Sequence, residues 1–257
     1  MEEAQRVAEK ALKFHKELQR DSHGRYRSWE HCYKVFYDAR LERKNGETPD
    51  YDYLSLHLAF YLASWGMYRG SSFLLQQDYT VHEDAVKEIL HEEYDILQGI
   101  ECKELRKEEA LKLLLHLKEV LRSKYNGIRD RVMSLYNKDK PKTDISDVLV
   151  SKILMGTLGC TPAYDRFFVD GIKGFGVNGI KGFNHLTGVF NRNAVEKLID
   201  FYEINFKSFE VARLKMSIDG LPYPQMKLLD MGFWQIGKEK DDSYRRLRMC
   251  KTERKRK

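Results

Sequence analysis

The three-and-four spacing of apolar residues, repeated from one end of the chain to the other, constrains this sequence more than any other feature. Between residues 2 and 20, Val7, Ala11, Phe14 and Leu18 fall on one side of a helix, the signature of a single buried face. Residues 29–41 repeat it with Trp29, Cys32, Tyr33, Phe36 and Tyr37, and Ser28 stands where an N-cap is favoured. Asn45-Gly46 and Pro49 then break the chain before its most apolar stretch, residues 53–75. There Leu54, Leu56, Leu58, Phe60, Leu62 and Trp65 occupy nearly every side of a helix, so a central buried helix is expected. Residues 81–98 and 105–125 read as two further amphipathic helices. Alternating strand patterns are almost absent, and the expected fold is all-α, a multi-helix globular protein.

The segment NKDKPKTD, residues 137–144, is polar, charged and proline-bearing, the composition of a hinge. It divides an N-terminal helical lobe (1–136) from a C-terminal one (145–244), with a cleft expected between them. After it, residues 145–158 form an apolar helix closed by Gly159 in the position a helix C-terminus favours. Cys160-Thr161-Pro162 turns the chain into a second helix containing Asp165. A glycine-rich repeat follows: Gly171-Ile172-Lys173-Gly174-Phe175, then Gly179-Ile180-Lys181-Gly182-Phe183. Its glycines would let Lys173 and Lys181 approach a phosphate closely, and they equally suit a plain loop. Residues 193–206, 209–216 and 222–234 complete the helical pattern.

Several classes are excluded by composition. With 42% apolar and 12% aromatic residues among 257, the chain is too apolar for disorder, and 17 Gly and 5 Pro are too few for a fibre. His57 and Arg69 interrupt the apolar stretch and Gln76 stands beside it, so no membrane span is expected. The first twenty residues carry both charges without an apolar run, so no secretory signal is expected. Cys32, Cys102, Cys160 and Cys250 lie far apart without a CxxC pair, which predicts reduced thiols, a cytoplasmic protein and no structural zinc. His82, His91 and His116 fall on separate helical patterns, no P-loop spacing occurs, and no metal or cofactor is expected. Arg25 and His31 match the Arg-(x)5-His spacing of helical-bundle ribonucleases, but Tyr26 stands where that motif is usually polar.

Charge points to one class of partner. The chain carries 45 Lys plus Arg against 39 Asp plus Glu, a net +6. Residues 245–257 hold eight Lys or Arg and one Glu, a balance of +7, which leaves 6 − 7 = −1 for the rest. This basic tail, with Arg245, Arg246 and Arg248, reads as an arm that neutralises DNA phosphates or as a solvated terminus. No protein partner is inferable.

Residues 146–168, SDVLVSKILMGTLGCTPAYDRFF, join an apolar helix, a turn with glycine and proline, and an aspartate just ahead of aromatics. This arrangement resembles the helix-hairpin-helix superfamily of DNA glycosylases. The resemblance covers about residues 144–190 and implies that Asp165 opens a helix facing an extruded base. It also implies a pocket shaped by Tyr164, Phe167 and Phe168, with Lys152, Lys173 and Lys181 near the DNA. Breaking an N-glycosidic bond builds positive charge on the sugar, which a carboxylate stabilises, and a base must leave the stack to be reached. The hairpin's usual glycines are missing from residues 140–145. About eighteen residues ahead of the aspartate, where bifunctional members carry a lysine, stands Asp147. The resemblance therefore implies a monofunctional, water-using enzyme or a binding relative without catalysis. As a residue by itself, Asp165 also suits a helix cap or an ion pair.

Overall fold

A computed structural model describes residues 2–136, 139, 143–173 and 189–254, with the backbone alone for 245–254. The periodic segments fold as helices: α1 (Glu2–Arg20), α2 (Ser28–Lys44), α3 (Tyr51–Ser64), α4 (Glu83–Ile89), α5 (Cys102–Leu105) and α6 (Glu108–Leu135). Beyond the proline-bearing segment come α7 (Asp147–Thr157), α8 (Arg166–Lys173), α9 (Arg192–Ile204), α10 (Phe206–Arg213) and α11 (Gln225–Arg254). Among the described residues the extended structure is one short hairpin, β1 (Ser217–Ile218) against β2 (Leu221–Pro222), with Ser217 opposite Pro222. The chain is all-α. No described helix is long and apolar enough to cross a membrane.

The apolar faces read from the sequence meet in one cluster that runs from Ala4 to Ile236 and draws on both sides of residues 137–144. Of that expected hinge, residues 137, 138 and 140–142 lie outside the described residues, as do 174–188, which hold most of the glycine-rich repeat. Helix α11 is the axis of the C-terminal half, with α1 and α8 packed along it, and α2 packs against both α3 and α7. The contact of α8 with α11 is unusually close. A Cβ on Gly171 would stand 1.9 Å from the Phe233 carbonyl oxygen, and one on Gly237 would stand 1.9 Å from the Phe167 oxygen. Only hydrogen fits at either crossing point. Gly171, expected to free a phosphate-binding loop, instead lets two helix backbones touch.

Boundaries differ from expectation where local chemistry intervenes. The apolar stretch 53–75 is not one buried helix: α3 stops at Ser64, and Gly66 takes a left-handed φ of 77°. Leu54, Leu58 and Leu62 are buried, but Leu56 and Phe60 are 48% and 57% exposed, so a single face of α3 enters the core. Ser28 does not cap α2. It is the first helical residue, because a 3-10 turn over Arg25–Arg27 leads straight into the helix. Residues 81–98 split into α4 and a 3-10 stretch, Glu92–Leu97. Gly159 does close α7: at φ 64° its N–H bonds the carbonyls of Leu154 and Met155. The basic tail is continuous with α11, whose backbone stays helical through Arg254.

Candidate functional site

The turn from α7 into α8 brings two charged side chains together. Asp165 immediately precedes α8, where its Oδ1 accepts the Phe168 N–H at 3.1 Å and its carbonyl accepts the Val169 N–H at 3.0 Å. That is the geometry of a cap satisfying the first turn. Its other oxygen, Oδ2, lies 3.3 Å from Nζ of Lys152, which projects from the middle of α7. Lys152 also donates to the Trp65 carbonyl at 2.7 Å. Burial lowers the pKa of this ammonium. Asp165 opposes that shift by charge and hydrogen bond, and nearby Arg69 pushes in the same direction as burial.

Both residues line a cleft of about 400 Å³ to which α7, with Lys152, and four further regions of the chain contribute. The 3-10 turn before α2 supplies Arg25 and Tyr26; the turn after α3 supplies Trp65 and Arg69; α8 supplies Arg166 and Phe167; α11 supplies Trp234. The rings form a connected wall, with centroids 4.8 Å apart for Tyr26 and Trp65, 5.5 Å for Tyr26 and Trp234, and 5.3 Å for Phe167 and Trp234. Two of the arginines lie over aromatic faces, Arg25 at 4.6 Å from the Tyr26 centroid and Arg166 at 4.7 Å from that of Phe167. A volume of this order holds one small organic ligand.

A second charged pair lies behind this wall. Lys227 Nζ sits 2.9 Å from Asp230 Oδ2, both on α11 and both 1% exposed. The ammonium lies 4.7 Å from the Trp29 ring and 4.9 Å from the Trp65 ring. Asp230 Oδ1 accepts the Ala163 N–H at 3.1 Å, tying α11 to the strand of chain that leads into Asp165. Burial raises the Asp230 carboxyl above its ordinary pKa, against the pull of Lys227.

Of the residues singled out from sequence, Asp165, Lys152 and Phe167 meet in the cleft. Tyr164 and Phe168 do not line it. Tyr164 is 3% exposed and stacks on Phe190 at 5.1 Å, while Phe168 is fully buried and meets Phe233 edge-on. Successive helical residues point about 100° apart, so Phe167 and Phe168 cannot both face one opening. Lys152 is 4% exposed, so its ammonium serves the cleft interior rather than a flat DNA surface. Lys173 is exposed at the end of α8. Lys181 lies outside the described residues, and so do the side chains of Arg245, Arg246 and Arg248. Asp147, standing where bifunctional glycosylases carry lysine, is occupied structurally: it accepts the Phe190 N–H at 2.8 Å and pairs with Arg122.

Sequence reasoning missed Tyr26, Trp65, Arg69 and Trp234 as site residues. A usable signal existed, since Arg25-Tyr26 and Arg166-Phe167 are both arginine–aromatic neighbours and the chain has only three tryptophans. Two of those tryptophans, Trp65 and Trp234, line the cleft. Compared with protein-family models, curated proteins and solved structures, the chain matches none.

Proposed function

We propose that the protein acts on DNA as an N-glycosylase, hydrolysing the bond between a base and its sugar with Asp165. The observation that carries this reading is the place of Asp165 in the wall of an aromatic, arginine-rimmed cleft able to hold one nucleotide unit. The cap bond to Phe168 fixes the carboxylate, and Lys152 holds its second oxygen. A carboxylate held in this way faces the positive charge that develops on the sugar as the base departs. The C1′–N bond breaks, and its electron pair leaves with the base, which takes up a proton from solvent, to which Asp165 later returns the one it accepts. The oxygen of a water molecule bonds to C1′, and the water's proton passes to Asp165. Tyr26, Phe167 and Trp234 offer faces against which an unstacked base can lie.

The test is to incubate the protein with DNA pools carrying alkylated, deaminated or oxidised bases and to measure alkali-labile abasic sites. The reading predicts such sites in at least one pool and their loss in Asp165→Asn, with DNA binding retained and the assay run below the variant's melting temperature, which falls because Lys152 loses its carboxylate. A second reading rests on one specific observation: both Asp165 oxygens are engaged by the protein itself. On that reading the cleft binds nucleic acid without breaking a bond. Abasic sites absent from every pool, with DNA retention intact, would favour it.

A further inference from the structure

The balance of charge in the cleft exceeds what a base and an aspartate account for. Its lining carries Arg25, Arg69, Arg166 and Lys152 against the single carboxylate of Asp165, so 4 − 1 = +3. Asp165 is matched by Lys152, and Arg166 reaches Asp241 at 3.2 Å. Among the described residues no carboxylate lies within ion-pair distance of Arg25 or Arg69; Arg25 donates instead to the Tyr26 hydroxyl at 2.6 Å. Arg69 is close enough to Lys152 to disfavour its charged form. These cations come from two turns and two helices, α7 and α8, and converge although they repel one another. Cations gathered at one opening raise the local positive potential and so attract an anion.

The arginines are held in place. Arg25 and Arg166 lie over aromatic rings, and the Arg69 guanidinium carbon stands 3.2 Å from where a Cβ on Gly66 would be. Planar guanidiniums held in this way match tetrahedral phosphate oxygens in pairs.

We propose that Arg25, Arg69 and Arg166 form a phosphate clamp at the mouth of the cleft, which takes a phosphate ester carried on a planar ring, a nucleotide. The inference rests on the cleft being the substrate site of the proposed function, but not on Asp165 breaking a bond. The phosphate can belong to a nucleic-acid strand or to a free nucleotide, and the two are separated by measurement.

The full chain is titrated with inorganic phosphate, a 2′-deoxynucleoside 5′-monophosphate, a dicarboxylate of equal charge, and a DNA duplex holding one stable abasic-site analogue. Thermal shift reads the small anions and fluorescence anisotropy reads the duplex. Phosphate and nucleotide are expected to raise the melting temperature and the dicarboxylate to do so less. Arg25→Gln, Arg69→Gln and Arg166→Gln alter exposed side chains, so their unliganded melting temperatures stay at the wild-type value. Each is expected to weaken nucleotide binding by about tenfold or more. Each should also reduce the slope of log affinity for the duplex against log salt by about 0.9. Duplex binding at least about a hundredfold tighter than the monophosphate, by the same affinity arithmetic, identifies a strand phosphate, and near-equal affinity identifies a free nucleotide; either supports the clamp. The clamp is overturned if the three variants bind nucleotide and duplex as the wild type does, or if the dicarboxylate binds as tightly as phosphate. Arginine-dependent binding without base release would leave the clamp standing and remove the glycosylase reading.

Discussion

Lys227 and His82 show what individual buried polar residues contribute to this molecule. Lys227 is enclosed by two indole rings and neutralised by Asp230, so removing either partner leaves an uncompensated buried charge. Lys227→Met should cost about 3–5 kcal/mol of stability, measured from the urea midpoint, and Lys227→Met with Asp230→Leu should recover much of it. His82 is wholly buried between the hydroxyls of Tyr68 and Tyr125, 2.7 and 2.6 Å from its ring nitrogens, so one nitrogen donates and the other accepts. Burial lowers its pKa to about 3. The unfolded chain binds a proton there near pH 6.5 and the folded one does not. The stability linked to His82 is therefore complete above about pH 6.5 and lost as pH falls towards 3. Acid titration of stability should be shallower over that window in His82→Gln than in the wild type. Lys227 did not stand out in the sequence and His82 was weighed there only as a metal ligand, because a lysine or histidine in a helical pattern looks the same whether it faces solvent or a ring.

Among the helices, the packing of α1 and α8 on α11 shapes the cleft, since α8 carries Asp165 at its start and α11 carries Trp234. Gly171 and Gly237 set the approach of α8 to α11. Gly171→Ala forces a methyl group against the Phe233 carbonyl and should destabilise the protein by about 1–3 kcal/mol or more. Alanine favours a helix over glycine, so an unchanged or raised melting temperature would refute the close crossing. Helices α1 and α11 are joined by Glu239, which accepts from Lys10 at 2.5 Å and from Lys13 at 2.8 Å. Burial pushes the Glu239 carboxyl up, but the hydrogen bonds of Lys10, Lys13 and Gln235 and the charge of Lys10 outweigh it and hold the pKa down to about 2. Its contribution is therefore present above the ordinary carboxylate range and lost as pH falls from about 4.5 to 2. Glu239→Gln should flatten the stability profile in that window. The helices themselves were legible from apolar spacing: α1 and α7 lie close to where the pattern put them. Their ends and faces were less so. Ser28 lost its capping role to a 3-10 turn, and α3 stopped at Ser64, with Gly66 left-handed just beyond.

For the whole molecule, the all-α architecture followed from the absence of alternating patterns, but the cleft did not follow from any local motif. Asp165 and Lys152 stood out because they share one short segment. Tyr26, Trp65 and Trp234 lie far apart in the chain and become neighbours only when α11 packs between its partners. Long-range convergence of this kind leaves no spacing to read. The basic C-terminus acts at this scale as well. Removing residues 245–257 deletes the last part of α11 and leaves Ile236, the last core position among the described residues, in place. The truncated protein should keep its melting temperature and lose about tenfold or more in DNA affinity at about 50 mM salt, while its response to Arg25→Gln stays the same. Unchanged DNA affinity would restrict nucleic-acid contact to the cleft.

The most direct test of the account is the single-turnover rate of base release from a damaged duplex that the wild type cleaves, compared with Asp165→Asn. With folding and duplex affinity held, the account predicts a fall of at least about a hundredfold, the range expected when a positioned acid–base group is removed. Base release by Asp165→Asn at the wild-type rate would contradict it.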